Sequence, residues 1–296
     1  MPLQDLSSGN RSGARQSRPS TTWLRLDFPG IAKPVILPRE GGLRDALLRC
    51  LNGWSPRMKA WHPPGKGVAA TPPLTLAEPQ GQGLYRVHSA YTDDPLDELP
   101  EASAVCAMIA DLAQAASEAQ GQNAGIGFHC GAFTISGRLV ALTGAHRAGK
   151  STLVSRLTAE PDLRVFCDDV LALSKDGTGS ALGIAPRLRM PLPDSVTDAF
   201  RQHVDASLGP ADDRYGYVLS PNLARHGATA PLCAIVMLDR RAGQGAGFHH
   251  MPPEEALRLL VEQSITAYDD AGDAYATARR IVSGVAVLRL VYQDLE

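Results

Sequence analysis

Residues Leu139–Leu157 read LVALTGAHRAGKSTLVSRL, an apolar run that breaks into a glycine-framed basic loop and then resumes at helical spacing. Just upstream, GAFTISGRLVALTG predicts two short strands about a Ser136-Gly137 turn, the second carrying the apolar Leu139–Leu142. Downstream, Ser151-Thr152-Leu153-Val154 opens a helix that turns Val154 and Leu157 inward. Between them, Gly144-Ala145-His146-Arg147-Ala148-Gly149-Lys150-Ser151 matches G-x-x-x-x-G-K-[ST] at every fixed position. Strand, glycine loop and helix is the context that gives this pattern its meaning. Backbone N–H groups of the loop and of the helix N-terminus converge on a polyphosphate, and Lys150 reaches its outer phosphates. Ser151 offers a hydroxyl to Mg2+. Gly144 through Thr152 are therefore the candidate nucleotide-binding residues.

A second stretch, LRVFCDDVLALSKDG, predicts a strand Leu163–Cys167 that ends in Asp168-Asp169, a second strand Val170–Leu173, and a turn at Lys175-Asp176-Gly177. A carboxylate at the end of a strand parallel to the loop strand can hold Mg2+ or orient a nucleophile, and two adjacent ones can divide those tasks. A solvated Asp-Asp turn is the alternative.

Taken together, FHCGAFTISGRLVALTGAHRAGKSTL and FCDDV resemble the catalytic core of the HPr kinase/phosphorylase-like family, over roughly Gly125 to Leu173. His129 precedes Gly144 by 15 residues, as the family's histidine does, and Asp168-Asp169 fall one helix and one strand after the loop. The resemblance implies an α/β fold: a P-loop kinase core of HPr-kinase/phosphoenolpyruvate-carboxykinase type, with a smaller N-terminal α/β domain. It implies ATP and Mg2+ as cofactors, Asp168 as the base or proton relay, Asp169 as a metal ligand beside Ser151, and His129 approaching the phosphates from the preceding strand. A hydrogen-bonded histidine at a strand edge is the other reading of His129. The sequence departs from the family at Arg147, where HPr kinases have glycine, and in lacking the family's glutamate-bearing segment. In place of that segment stands IAPRLRMPLP, whose Arg187 and Arg189 could clamp a substrate phosphate or carboxylate, or form a solvated basic turn.

The remaining sequence sets bounds. At 296 residues with 44% hydrophobic content the chain can bury a large core. A formal net charge of −2 gives no overall field toward nucleic acid or anionic lipid. Five cysteines with no metal-ligand spacing read as thiols of a reducing compartment, and we expect a cytoplasmic protein. No window approaches the roughly eighteen consecutive apolar residues of a membrane span. Residues 1–20 read as a disordered leader, 21–122 as an N-terminal α/β domain and 123–296 as the nucleotide-binding domain. In the N-terminal part, TTWLRLDF and GLYRVHS predict strands, LRDALLRCL and Glu101–Gln120 predict helices, and Trp54–Gln82 predicts loops and short edge strands, with no catalytic cluster. Near the C-terminus, LCAIVMLD and VAVLRLVY predict strands and Pro252–Gln263 an amphipathic helix.

Two functions fit these residues. One is a kinase acting on a hydroxyl of a small protein, peptide or metabolite. The other is a nucleotide-binding sensor or scaffold that transfers nothing. No guanine-reading Asn-Lys-x-Asp and no motor signature is present, which argues against a GTPase or motor. The acceptor's identity and any homo-oligomer are left open by the sequence.

Overall fold

The computed structural model describes residues 22–63, 71–121, 125–194, 196–264 and 271–294, so the expected leader lies outside the described residues. The protein is a mixed α/β chain with three sheets. No helix among the described residues is long and apolar enough to cross a membrane.

The first sheet is built from β1 (Trp23–Asp27), β2 (Val35–Pro38), β3 (Arg57–Trp61), β4 (Thr75–Gly81), β5 (Leu84–Ser89) and β6 (Leu96–Leu99), in the order β3-β1-β2-β4-β5-β6. Leu24 and Leu26 alternate inward along β1, as a strand with one buried face requires. Two helices, α1 (Leu43–Arg49) and α2 (Glu101–Gly121), cover that face. Leu43 and Leu47 of the first, and Val105, Met108 and Leu112 of the second, are fully buried with Leu26 and Leu37. The expectation of loops and edge strands through Trp54–Gln82 holds for β3, which lies at the sheet edge, but not for β4, which lies inside the sheet. Pro79 disguises β4. It is tolerated because the pairing of β4 with β2 stops at Leu76, so the missing N–H interrupts no ladder on that side.

The second sheet has nine strands. They are β7 (Ile126–His129), β8 (Gly131–Ile135), β9 (Arg138–Gly144), β10 (Leu163–Cys167), β11 (Val170–Leu173), β12 (Thr178–Ser180), β16 (Thr229–Arg240), β17 (Gly247–His250) and β18 (Ala286–Tyr292). A third sheet of β13 (Arg187–Arg189), β14 (Leu208–Ala211) and β15 (Tyr215–Val218) packs beside α4 (Asp198–Ser207). The expected strand pair around Ser136-Gly137 is present as β8 and β9, with both turn residues at positive φ (50° and 75°). Helix α3 (Lys150–Leu157) follows the loop, while α5 (Pro253–Glu262) and α6 (Ala271–Ser283) pack on the sheet through Ala256, Leu260, Ala278 and Ile281.

Strands β7 and β8 are successive in the chain and pair with β11 and β10, which are also successive. His129 lies opposite Val170, and Ala132 lies opposite Cys167. The two ladders are thus one long antiparallel pair that opens in the middle, at Cys130-Gly131 on one strand and Asp168-Asp169 on the other. Across the gap, Cys130 N donates to Asp169 O (3.1 Å). Gly131 is needed at the bend, since a Cβ there would lie 2.5 Å from Val154 Cγ2 of α3.

Gly131→Ala should therefore destabilise the chain by about 1–3 kcal/mol through overpacking. The loss should shrink when Val154→Ala removes the colliding methyls, a non-additivity to be read from urea denaturation of the two single variants and the double.

Candidate functional site

Strand β9 runs parallel to β16, and its last residue, Gly144, passes close to that neighbour. A Cβ at Gly144, whose φ is 151°, would come within 2.9 Å of Leu238 O. The loop then turns through Arg147 (φ 66°) and Gly149 (φ 94°), left-handed conformations that alternate its N–H directions and build an anion-binding concavity. Gly149 is the N-cap of α3 and supplies no side-chain cap, so the opening of the helix is served by the loop alone. His146 and Arg147 are exposed on the crest, and Ala148 is buried. The Tyr292 hydroxyl, at the end of β18, donates to the Ala148 carbonyl and braces the loop from beneath.

The Lys150 ammonium donates to the carbonyls of Gly144 (3.1 Å) and Ala145 (3.4 Å). Partial burial pushes its pKa below the ordinary lysine range, opposed by the carboxylates of Asp169 and Asp168 nearby. Phosphate oxygens would replace two neutral carbonyls by charged partners.

Strand β10 runs in the same direction as β9, with the antiparallel β8 between them, so Cys167 and Gly144 leave the sheet at one edge. The two carboxylates that follow differ in environment. Asp168 accepts from the Arg187 backbone N–H through Oδ2 (2.9 Å), while its Oδ1 is buried with no partner. Burial pushes its pKa up to about 6, against the lowering effects of the Arg187 amide and the nearby Ser151 hydroxyl. Asp169 is 67% exposed and meets His129 Nε2 at 3.0 Å. That hydrogen bond holds its carboxyl below the usual range, although burial of the group acts in the opposite sense. His129 is itself 43% exposed, so the pair is worth roughly 0–1 kcal/mol when charged. The imidazole expected at the phosphates makes its bond to Asp169.

The structure thus brings Lys150, Ser151, Asp168, Asp169, His129 and Arg187 to one sheet edge. Arg189, two residues beyond Arg187 on β13, is exposed, and its backbone lies opposite Tyr215 in the ladder with β15. The Arg187 guanidinium turns back to the Cys106 sulfur of α2 and stacks 4.9 Å from the Tyr215 ring centroid. Cys106 and Tyr217, both beside Asp168, escaped the sequence reading because no local pattern links positions 106 and 217 to position 168. Asp212 has a structural task, accepting from Ser103 N (2.8 Å) and Oγ (2.7 Å) at the start of α2. Exposed His249 and His250 lie on β17. Arg289 pairs with Glu255 (2.7 Å) and Asp239 (3.5 Å).

The side chains suit a hard divalent cation better than a transition metal. No group of three or more His, Cys, Asp or Glu among the described residues is placed to hold a metal by itself. What the site does offer is a hydroxyl at Ser151 and the exposed carboxylate of Asp169. A few oxygens, completed by water and phosphate, fit Mg2+. Cβ atoms at Gly144 and Gly149 would collide with Leu238 O and Tyr292 Oη, so the loop keeps its tight course only with glycine at both positions.

No protein-family model matches the chain, and no curated protein matches it. Among solved structures, the HPr(Ser) kinase/phosphatase from Coxiella burnetii aligns at 14% identity over 57% of this chain and 79% of that one, with a TM-score of 0.27. So loose a superposition carries no argument about fold or function.

Proposed function

We propose that the chain is a Mg2+- and ATP-dependent phosphotransferase that moves the γ-phosphate onto a serine-type hydroxyl of a small protein, peptide or metabolite. Asp168 carries this reading. One of its oxygens is tied to the Arg187 amide, and the other is buried without a partner beside Ser151 and the start of α3. A carboxylate held in that way has one basic oxygen to offer a hydroxyl. A loop that only stored a nucleotide would have no need of it.

The roles divide as follows. Loop N–H groups from Gly144 to Thr152 and the Lys150 ammonium hold and neutralise the phosphates. Mg2+, when bound, supplies further neutralisation of phosphate charge, with Ser151 and Asp169 as its protein ligands. Asp168 Oδ1 takes the proton of the acceptor hydroxyl as the oxygen bonds to the γ-phosphorus and the bond to the diphosphate oxygen breaks. His129 acts through Asp169 as a positioning residue, and Arg187 and Arg189 flank the acceptor side. The five cysteines are free, in keeping with work in a reducing cytoplasm. Neither nucleic acid nor membrane is needed in this scheme.

Lys150→Ala removes the loop cation that reaches the outer phosphates. Mg-ATP affinity should fall by roughly 10- to 100-fold, the worth of charge-assisted hydrogen bonds, in a calorimetric titration. Unchanged affinity would refute the loop assignment.

Asp168→Asn keeps the side chain's shape and should hold Mg-ATP affinity within a few-fold while lowering turnover by about 10²–10⁴-fold. Asp169→Asn should instead raise the Mg2+ concentration needed for half-maximal rate, and His129→Ala should do so to a smaller degree. The readout is phosphate transfer from labelled ATP to lysate-derived acceptors, with slow ATP hydrolysis as the fallback. A wild type that binds Mg-ATP but neither transfers nor hydrolyses would leave a nucleotide-binding sensor or scaffold.

A further inference from the structure

Elsewhere on the surface arginines meet carboxylates, as Arg25 does with Asp27, Arg86 with Asp97 and Arg258 with Glu262. Arg49, Arg164 and Arg225 behave differently. All three are exposed, their guanidinium groups form no ion pair among the described residues, and all three line one cleft. The cleft measures about 590 Å³, and no Asp or Glu stands among its described lining residues. Buried Leu51, Ala185 and Leu223 give it apolar surface between the cations. None of the loop residues Gly144–Ser151 reaches it.

The three arginines are far apart in the chain, and backbone bonding brings them to one place. Arg49 ends α1, Arg164 lies on β10, and Arg225 follows the segment Asn222–Ala224. That segment adds itself in parallel to the outer edge of β10, with Val165 N donating to Asn222 O (2.9 Å) and Ala224 N to Val165 O (2.7 Å). Asn52, just past α1, ties the N-terminal part to the same segment. Its Nδ2 donates to Leu223 O (2.8 Å), and its carbonyl accepts from His226 N (2.8 Å). Gly53 has a φ of +85°, and a Cβ there would lie 3.0 Å from Arg225 Cβ and 3.4 Å from Arg225 Nε, so the stem of Arg225 lies against that glycine. The cleft thus has a hydrogen-bonded frame and charges of a single sign. Such a gathering of one charge draws anions, and a concave site of this volume with apolar lining and a few charged groups has the usual form of a small-molecule site.

We infer that this cleft binds a small polyanion, a compact molecule carrying two or more carboxylate or phosphate groups. Guanidinium forks bond either group bidentately. A ligand that meets Arg49 together with Arg164 or Arg225 joins the N-terminal part to the nucleotide-binding part and supplies the countercharge that the cleft lacks. A monoanion meets one fork only and should bind at least about tenfold more weakly. The volume is that of a small-ligand site, so a free molecule is the occupant, and the assignment is independent of the phosphotransferase reading.

The test is calorimetric titration of the full chain in Mg2+-free buffer at constant ionic strength, with citrate, pyrophosphate, acetate and a capped tri-glutamate peptide as probes. Citrate or pyrophosphate should bind, and acetate should bind at least about tenfold more weakly. Arg164→Gln and Arg225→Gln should each weaken the bound anion by about tenfold or more, the loss of a charge-assisted hydrogen bond. Both side chains are exposed and outside the loop, so unchanged Mg-ATP affinity in a separate titration verifies a native chain. Running the same titrations in Lys150→Ala separates the cleft from the P-loop, because binding in the cleft should survive that change. Neither anion binding, binding left unchanged by both arginine variants, binding lost in Lys150→Ala, or acetate binding as tightly as citrate would each overturn the assignment. So would the peptide binding more tightly than either small anion, which would make the cleft a docking site for an acidic protein segment. Absence of any phosphate transfer would remove the kinase reading and leave these binding outcomes intact.

Discussion

Most of the site depends on the opening in the long ladder between residues 126–135 and 163–173. The register is the same on both sides of the opening, which sets Asp168 and Asp169 opposite Gly131 and Cys130. There the pairing thins to one bond from Cys130 N to Asp169 O, and the Cys167 thiol donates to Cys130 O at 3.3 Å. The missing side chain at Gly131 lets α3 approach through Val154, which sets the start of that helix, and the loop before it, over the freed carboxylates. A register shift lies just upstream, between Val165 and Cys167, and a β-bulge beside a functional site is a common device for re-aiming side chains.

The loop is fixed from two further directions. Parallel pairing of β9 with β16 sets its exit at Gly144, and Tyr292, on the far side of β16, holds Ala148. The last strand of the chain is thus part of the loop's support. Within that frame the two adjacent carboxyls are pushed apart: burial raises Asp168, and the His129 contact lowers Asp169. Divergent environments for neighbouring acids are the usual physical basis for divergent roles.

Legibility in the sequence follows the range of the interactions. The stretch from Gly131 to Leu173 could be read because its determinants are local: a positive-φ turn at Ser136-Gly137, glycines at the loop's tight points, and apolar runs of strand length. By contrast, β4 was obscured by Pro79, whose tolerance depends on where its pairing with β2 ends. The small sheet of β13–β15 was also unreadable, and with it the anchor of Asp168, a backbone amide at Arg187 that has no sequence signature. His129 was picked out by position, but its partner Asp169 is 40 residues away, and only the antiparallel ladder brings them together. Tyr217 and Cys106 reach Asp168 through tertiary packing alone.

The described residues of the N-terminal part, in which the sequence showed no catalytic cluster, are tied to the segment Leu182-Gly183-Ile184 through Asn52 and Trp54. Asn52 N donates to Gly183 O (2.6 Å), His226 N donates to Asn52 O (2.8 Å), and Trp54 Nε1 donates to Leu182 O (2.6 Å). Trp54 also stacks on His226, with ring centroids 4.0 Å apart. The contact at Gly183 admits no side chain, since its φ is +67° and a Cβ would lie 2.2 Å from Asn52 O. These bonds grip the segment Leu182-Gly183-Ile184. Since α1 and α2 share one core with Trp54, Leu182 and Ile184 on one side and Cys106 and Ile109 on the other are referred to the same N-terminal sheet.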